Sequence, residues 1–444
     1  MNARELALKM LMQIAEEQKL SHTVMARELA AVPEMDKKER SFATMLCQGV
    51  VERKETLDFL IAQYSSVKPQ KMKPLVRNII RMGFYQLAYT SVPPSAVCNE
   101  AVKLVKKKGL GGLSGFVNGV LRSYAREPKK PEAFLGQASE MRKLALCYSV
   151  PEWLAEKFVA WYGIDLTREM FEVFLQRSDL TVRVNRSRVS REACIESLVS
   201  DGVCVSDGRW LTQALRLSGV DTLEKLSAFR EGYIQVQDES SMLPVLCAGL
   251  KDGDYVIDCC AAPGGKALQA ADILQQGRVS ARDVSEYKLN KLRENVERLG
   301  FQNVELLLQD ATQVREEDIG KADVVLADLP CSGLGIIARK PDIKYHVTED
   351  GMRSLQELQR KILATVVKYL KPGGVLIFST CTINPCENIE NVRWIREELG
   401  LCESSLDPYL PDRLKNVDTK KGYLQLLPLA NASDGFFVSR FQKQ

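Results

Sequence analysis

From about residue 236 onward, the sequence alternates short apolar runs with stretches of helical periodicity, and this alternation constrains the fold more than any other feature. Apolar residues at helical spacing predict a helix from Glu286 to Leu299 that stops at Gly300. The apolar runs, each predicted to be a strand, are Tyr255–Asp258, Arg278–Val284, Val304–Gln309, Val324–Asp328 and Val375–Thr380. Alternation of this kind is typical of a parallel sheet covered by helices on both faces. Ligands of such sheets bind beyond the carboxyl ends of the strands, so functional residues are expected there.

The first 130 residues predict a compact all-α bundle. Apolar residues recur at helical spacing, as in Leu6, Met10 and Ile14, and prolines and glycines interrupt the helical stretches. The whole chain has a formal net charge of only +4, but this part carries 22 lysines and arginines against 12 acidic residues. We therefore expect it to bind a polyanion such as RNA. Residues 103–108 include four lysines and lead into a glycine-rich loop that is expected to meet phosphates.

Residues 140–235 predict a small α+β segment. The alternation in 180–185 indicates a strand, and a helix is expected from Ser190 to Ser200. Three arginines around this strand are expected to lie along a path for RNA: Arg183, Arg186 and Arg188. The predicted domains are a helical one at 1–130, an α+β one at 140–235 and a sheet-based one at 236–444.

Composition argues against a metal site, a disulfide scaffold and a membrane span. The twelve cysteines include no C-x-x-C pair, and the two histidines, His22 and His346, lie in no cluster with ligand spacing. No apolar run approaches the roughly 20 residues that a membrane span needs, and the amino terminus shows no export leader. We therefore expect a cytoplasmic protein that acts as a monomer, without a metal or a membrane partner. Its chemistry should use Cys, Asp or Lys rather than a histidine base.

The strongest local signal is a turn of small residues that follows Asp258. Its paired glycines let the backbone approach a ligand closely. A phosphate-binding loop is excluded, because Cys260 stands where its first glycine would be and Ala267 replaces its Ser or Thr. The dinucleotide pattern G-x-G-x-x-G is also absent. The residues of this turn that we predict to bind a cofactor are Cys260, Ala261, Ala262, Pro263, Gly264, Gly265 and Lys266.

Three acids follow three consecutive predicted strands: Asp283, Asp310 and Asp328. A carboxylate at the first position can accept hydrogen bonds from ribose hydroxyls, and one at the second can accept from an adenine amino group. A single acid at such a place is more often a helix cap or a loop residue. Three in register, together with the glycine turn, indicate a nucleoside that carries a sulfonium, so we expect S-adenosylmethionine.

Two cysteines occupy comparable strand ends, with Cys331 close behind Asp328 and Cys381 behind the next strand. Methylation of cytosine at carbon 5 needs a thiolate that adds to carbon 6, an acid near N3 and a second group for elimination. Cys381, Asp328 and Cys331 could supply these groups. Most free cysteines are small buried hydrophobic residues, and the residues alone do not decide which cysteine attacks.

Further motifs carry a resemblance to a known family along nearly the whole chain. They are 81–87, 116–122, 237–241, 258–266, 328–333, 340–344, 379–388 and 434–437. In these motifs the chain resembles the bacterial 16S rRNA cytosine-5 methyltransferases of the RsmB (Sun/Fmu) type, which belong to the NOL1/NOP2/Sun family. The resemblance implies an all-α NusB-like N-terminal bundle, a small α+β middle domain and an α/β Rossmann-like class I methyltransferase domain. It also implies transfer of a methyl group from S-adenosylmethionine to carbon 5 of cytosine 967 in 16S rRNA.

The same resemblance implies that Cys381 is the nucleophile and Cys331 the helper in elimination. Cys260 to Lys266 would hold the cofactor together with three acids, Asp283, Asp310 and Asp328. Lys266 has a second possible role, which is to brace Asp328. Leu329 and Arg282 depart from the family's usual pattern, but neither removes a functional group. Two alternatives stay open: a transfer-RNA cytosine-5 methyltransferase and a non-catalytic RNA-binding assembly factor.

Overall fold

The computed structural model describes residues 1–17, 20–176, 179–430 and 433–444. These residues form two compact units. The first contains Met1–Gln176 together with the segment Ile337–His346, and the second contains the remaining described residues. The domain boundaries predicted from the sequence follow a different division and stay predictions. None of the helices in the described ranges combines the length and the hydropathy of a transmembrane span.

The first unit is helical, which confirms the all-α bundle predicted for residues 1–130; its helices continue beyond that range, into the part predicted to be α+β. Its helices are α1 (Ala3–Glu17), α2 (Ser21–Ala30), α3 (Lys37–Glu52), α4 (Lys54–Tyr64), α5 (Pro74–Tyr89), α6 (Pro94–Lys107), α7 (Ser114–Arg126), α8 (Glu132–Leu135), α9 (Glu140–Tyr148), α10 (Glu152–Tyr162), α11 (Ile164–Phe174) and a short unnumbered helix, Ile343–His346. Apolar side chains at helical spacing, such as Leu6, Leu57 and Ile80, are buried in one core. Pro74 and Pro94 start helices, because a first-turn proline costs no intrahelical hydrogen bond.

A small antiparallel sheet lies in the second unit. Its strands are β1 (Leu180–Val184), β2 (Cys204–Asp207), β3 (Ala214–Ser218) and β4 (Ile234–Val236), in the order β2-β3-β1-β4, with helices α12 (Arg191–Ser200) and α13 (Ser227–Arg230). β1 and α12 confirm the strand and the helix predicted there. The expectation that Arg183 lies along a path for RNA is wrong. Its side chain is buried, and its Nη1 forms an ion pair of 2.6 Å with Oδ2 of Asp272.

The larger sheet carries the predicted strands. It consists of β5 (Tyr255–Asp258), β6 (Arg278–Asp283), β7 (Val304–Leu308), β8 (Ala322–Asp328), β9 (Leu370–Thr380), β10 (Cys402–Glu403), β11 (Tyr423–Leu426) and β12 (Phe436–Gln442). The order is β10-β12-β9-β8-β5-β6-β7, and β11 also pairs with β12. β5 to β9 are parallel and confirm the five predicted strands. The prediction of a parallel sheet is wrong at the other edge, where β10, β11 and β12 pair antiparallel. β11 and β12 are consecutive, and a connection without a crossover helix favours antiparallel pairing.

Helices cover both faces of this sheet. They are α14 (Glu239–Ala248), α15 (Gly265–Ile273), α16 (Glu286–Leu299), α17 (Glu349–Val366), α18 (Ile389–Glu398) and α19 (Val417–Lys421). Val256 and Ile257 are neighbours in β5 and belong to two separate buried cores, one on each face. α16 has its predicted bounds, and Gly300 ends it in the left-handed conformation, with φ +77°. Single 3-10 turns lie at Pro69–Lys71, Gly111–Leu113, Leu223–Lys225, Glu316–Asp318, Leu334–Ile336, Val367–Tyr369 and Asp412–Leu414.

Candidate active site

The two cysteines singled out in the sequence lie together at the carboxyl edge of the sheet. β8 and β9 are parallel neighbours, and their register pairs Asp328 with Ser379. The loops that follow these strands therefore leave the sheet side by side. Cys331 lies on the first loop and Cys381 at the start of the second, and their Sγ atoms are 3.3 Å apart. Both side chains are half-buried, so a flat ring could reach them from solvent.

A buried carboxylate holds the loop that carries Cys331. Oε2 of Glu387 accepts a hydrogen bond from the backbone N–H of Ser332 at 2.9 Å, and Oε1 accepts from the Ser332 hydroxyl at 2.5 Å. The side-chain amides of Gln359 and Asn384 donate to the same carboxylate at 3.0 and 2.8 Å. This role was not predicted from the sequence, although Glu387 stands inside a motif that carries the family resemblance. The spacing of 55 residues between Ser332 and Glu387 gives no local signal.

Asp328 is joined to the glycine turn through a lysine. Nζ of Lys266 donates to Oδ2 of Asp328 at 2.7 Å and to Oγ of Ser241 at 2.9 Å. The Ser379 hydroxyl donates to Oδ1 of Asp328 at 2.8 Å. Lys266 is buried, and its ammonium lies 5.3 Å from the centre of the Phe436 ring. In this structure Lys266 therefore braces Asp328, which is the second of the two roles considered from the sequence.

Asp258, at the end of β5, is a buried acid with an unused oxygen. Its Oδ1 accepts a long hydrogen bond of 3.4 Å from the backbone N–H of Cys260, and its Oδ2 has no partner among the described residues. Burial, and then the negative charge of Asp328, raise the pKa of Asp258 to about 7. No role was predicted for Asp258 from the sequence, in which it precedes the glycine turn. An orphaned acceptor of this kind fits a ligand with a cationic or N–H donor group.

The predicted cofactor turn has the open backbone that the sequence suggested. Gly264 has a φ of +111°, and a Cβ there would lie 2.3 Å from Leu292, so only glycine fits. Gly265 begins α15, and a Cβ there would meet nothing closer than 3.6 Å. The rest of the turn varies in exposure: Cys260, Ala262 and Gly265 are half-buried, Ala261, Gly264 and Lys266 are buried, and Pro263 is exposed.

The three predicted acids, together with Asp258, follow neighbouring strands. Asp328, Asp258 and Asp283 end β8, β5 and β6, and Asp310 follows the last residue of β7 by two positions. Asp283 is buried, and its Oδ1 accepts a hydrogen bond of 3.0 Å from the backbone N–H of Ser285. Asp310 is exposed, and hydrogen bonds from the backbone and the hydroxyl of Thr312 lower its pKa. Four carboxylates thus lie along one edge of the sheet.

The two thiols differ in their surroundings. The hydrogen bond with Cys381, burial and the nearby Glu387 carboxylate raise the pKa of Cys331 well above its usual value. Cys331 therefore keeps its proton at neutral pH and can offer it to the neighbouring sulfur.

Within the described ranges, no group of histidine, cysteine and acidic side chains has an arrangement that could hold a metal ion.

A Rossmann-like sheet with a glycine turn after its first strand, acids after the next strands and a cysteine pair at the same edge defines a methyltransferase. Residues 245–442 match the family described as 16S rRNA methyltransferase RsmB/F. Residues 1–126 match the NusB family, and 150–222 match the ferredoxin-like domain of RsmF/B-like methyltransferases. The chain belongs to the RsmB/F family of 16S rRNA methyltransferases. Its predicted fold class, enzyme class and methyl donor, S-adenosylmethionine, are thereby confirmed.

Individual relatives are similar over the full length. The probable ribosomal RNA small subunit methyltransferase B of Bacillus subtilis is 32% identical over 448 residues, which cover 100% of this chain and 99% of that protein. The protein of the same name from Synechocystis is 34% identical, with 100% of this chain and 99% of that protein covered. The crystal structure of PH0851 has 24% identity and a TM-score of 0.82, and the match covers 99% of this chain and 98% of that one. This last likeness supports the fold.

Proposed function

We propose that this chain methylates carbon 5 of one cytosine in 16S rRNA, cytosine 967, through a transient bond between the Cys381 sulfur and carbon 6 of the base. The observation that carries the proposal is the distance of 3.3 Å between the sulfurs of Cys381 and Cys331, at the strand end beside Asp328. A lone buried cysteine would need no such partner. Two thiols and an acid are the groups that addition and elimination on a pyrimidine require.

The residues at the sheet edge fit the methyl donor. The Oδ2 of Asp258, which has no partner in the part of the chain that the structure describes, suits the ammonium of its methionine part, and Asp283 and Asp310 suit its ribose and adenine. The turn from Cys260 to Lys266 leaves the backbone open to close approach. When bound, S-adenosylmethionine supplies an electrophilic methyl group on a sulfonium.

The chain's own residues then activate the base. Cys381, as a thiolate, forms a bond to carbon 6, and the electrons of the carbon 5–carbon 6 double bond shift so that carbon 5 becomes nucleophilic. Asp328, in its protonated form, delivers a proton to N3 as negative charge develops there, and N3 returns that proton to Asp328 during elimination. Lys266, in hydrogen-bond contact with this carboxylate, stabilises its charge between the two steps.

Elimination reverses the addition. Once carbon 5 carries the methyl group, its proton must leave, and the released electrons re-form the double bond and expel the Cys381 sulfur. Cys331 passes its proton to that departing sulfur and accepts the proton from carbon 5, so the protons balance. The raised pKa of Cys331 supports this role, because the residue carries a proton to give.

The remaining parts of the chain would hold the RNA. A base must leave its stack to reach a site at a sheet edge, and flipping is cheapest in loops and single strands. The basic helical domain supplies positive charge for phosphates. We propose that a single chain acts as a monomer on RNA in the cytoplasm.

The experiment is methyl transfer from labelled S-adenosylmethionine to 16S rRNA, followed by bisulfite sequencing of RNA from a deletion strain. We expect loss of one 5-methylcytosine, at position 967. Unchanged ribosomal RNA together with a missing mark in transfer RNA would favour the transfer-RNA alternative. No transfer to any RNA by the purified chain would favour a non-catalytic assembly factor.

A further inference from the structure

The first unit contains a cavity of about 500 Å³ to which the proposed chemistry gives no role. Its lining residues come from α1, α3, α4, α5, the 3-10 turn Pro69–Lys71 and the segment Ile337–His346, all of which belong to the first unit. A volume of this size is typical of pockets that hold small ligands. The cavity is therefore examined for the groups that it offers to a ligand.

Part of the lining is apolar. Leu11 and Ile14 of α1 and Val50 and Val51 of α3 contribute aliphatic side chains to it. Ligand pockets commonly combine such apolar surface with a small number of polar groups that fix the orientation of the ligand. An aliphatic surface suits the flat face of a ring and offers it no hydrogen bond.

A buried acceptor lies among the polar lining residues. Asp342 is only 2% exposed, and its Oδ2 accepts a hydrogen bond from the backbone N–H of Ser21. Its Oδ1 is buried and has no hydrogen-bond partner in the part of the chain that the structure describes. Buried polar atoms are normally hydrogen-bonded, so this oxygen calls for a ligand with an N–H or amino donor.

A buried donor lines the same cavity. Nε of Arg77, in α5, is buried and has no hydrogen-bond partner among the described residues. Nη1 of the same side chain donates a long hydrogen bond of 3.4 Å to the carbonyl oxygen of Pro69. Burial, and then the positive charge of Arg81, lower the pKa of Arg77. A ligand that carried an acceptor beside its donor would satisfy both Arg77 and Asp342.

The charges around the cavity are balanced, and this argues against a free phosphate as the ligand. Nε and Nη2 of Arg81 donate hydrogen bonds of 2.6 Å each to the two carboxylate oxygens of Asp58, so its charge is already paired. The ammonium of Lys54 lies 4.3 Å from the centre of the Tyr345 ring, and burial lowers its pKa. Besides His346, the charged lining residues are three cations, Lys54, Arg77 and Arg81, and three acids, Glu55, Asp58 and Asp342. This balance favours a neutral polar ligand.

We propose that the cavity binds a nucleobase, with Asp342 accepting a hydrogen bond from an amino or N–H group of the base and Arg77 donating one to a ring nitrogen or a carbonyl oxygen. Bases carry such donors and acceptors side by side on their pairing edge, and proteins read an unstacked base through this edge and hold its faces against aromatic or apolar side chains. The base can belong to an RNA strand or to a free nucleotide. The inference concerns binding alone and does not rest on the proposed methylation.

The test measures binding to the full-length chain, with the methyl-donor site filled by S-adenosylhomocysteine. The probes are AMP, CMP, GMP and UMP, titrated by calorimetry, and a 16S rRNA transcript in a filter-binding assay. Arg77→Lys keeps the positive charge and removes the Nε donor, and Asp342→Asn keeps an acceptor for Ser21 but turns an N–H group toward the cavity. The matched controls, Arg122→Lys and Asp165→Asn, change exposed residues that do not line the cavity.

We expect both cavity variants to weaken the binding of at least one probe about tenfold, the change expected when a buried hydrogen-bond partner is lost, while the controls bind like the wild type. A loss with the transcript identifies a base of an RNA strand as the ligand, and a loss confined to a mononucleotide identifies a free nucleotide. If both cavity variants bind every probe like the wild type, the inference is overturned.

A third variant covers the case in which Arg77→Lys or Asp342→Asn fails to fold. Ala15 is an exposed lining residue in α1, so Ala15→Trp adds a ring at the cavity without changing the core. It should weaken the same probe, and unchanged binding by Ala15→Trp would contradict the inference. A wild-type chain that transferred no methyl group would refute the proposed function and leave these binding results as they are.

Discussion

The Sγ atom of Cys331 lies 3.3 Å from that of Cys381, although 50 residues separate the two in the sequence. Thiols at this distance share a hydrogen bond, so the charge state of one depends on the proton of the other. The raised pKa of Cys331 identifies it as the proton holder of the pair. This is consistent with the proposal that Cys381 is the attacking sulfur, the role that the family resemblance implies.

Cys381→Ala should abolish methyl transfer and leave no covalent adduct with RNA. The variant lacks the only sulfur that we propose bonds to carbon 6, and carbon 5 without that bond is a poor nucleophile. Incorporation of labelled methyl groups into a 16S rRNA transcript measures the effect. Cys402→Ala, at an exposed position, is the control. Measurable turnover by Cys381→Ala would refute the covalent mechanism.

Cys331→Ala should form the adduct and fail to release it. Addition needs Cys381 alone, but elimination needs the proton exchange that we assign to Cys331. A slowly migrating protein–RNA band should appear on a denaturing gel in the presence of the methyl donor. The double variant Cys331→Ala/Cys381→Ala should lack that band. Free turnover by the single variant would contradict the assignment.

Glu387→Gln should destabilise the second unit and slow product release. All four groups around the carboxylate donate hydrogen bonds, and a glutamine would turn an N–H group toward at least one of them. A buried donor without an acceptor costs about 1–3 kcal/mol. Thermal unfolding measures the loss, and the exposed Glu397→Gln serves as control. An unchanged melting temperature would show that the network tolerates the swap.

Asp258→Asn should flatten the dependence of stability on pH in the absence of ligand. The pKa of Asp258 is raised from 3.8 to about 7, so between these values the folded chain holds a proton that the unfolded chain has lost. Stability from this residue therefore falls as pH rises from about 4 to 7, and the charged carboxylate remains unfavourable above that window. Asparagine carries no such charge.

Unfolding by urea at a series of pH values tests this expectation. Well above pH 7 we expect Asp258→Asn to be more stable than the wild type by up to about 4 kcal/mol, and to bind S-adenosylmethionine more weakly. Asp350→Asn, which removes an exposed acid, should follow the wild-type profile. If the free energy of unfolding depended on pH in the same way for the wild type and Asp258→Asn, the expectation that the folded chain raises the pKa of Asp258 would be wrong.

The strands and the helical bundle could be predicted because their signals are local. Val256 and Ile257 are apolar neighbours that must both be buried, which is typical of a strand covered on two faces. The antiparallel edge could not be predicted, since the apolar run at 436–442 has the same pattern whichever way the chain enters the sheet. Direction is set by the path of the loop before it, which periodicity does not record.

At the site, the sequence identified the residues that stand at strand ends and missed those that act from a distance. Asp328 ends a recognisable strand and Cys331 follows it by three residues, so their position at the carboxyl edge of the sheet follows from the topology. Glu387 lies 55 residues from Ser332, and only the folded chain shows that the two meet. The prediction for Arg183 was wrong for a similar reason. Its charge suggested contact with RNA, but its ion-pair partner, Asp272, lies 89 residues away in the sequence.

The path of the chain through Ile337–His346 has a consequence for dissecting this enzyme. A fragment that began at residue 236 would carry Lys344 without the Glu52 carbonyl that accepts its hydrogen bond, and would leave residues 337–346 without the helices that they pack against. The complementary fragment, residues 1–235, would lack the segment that forms hydrogen bonds at the ends of α2, α3 and α9. A fragment that contains only the second unit and this segment should therefore be less stable than the full chain, because residues 337–346 pack with the helices of the first unit.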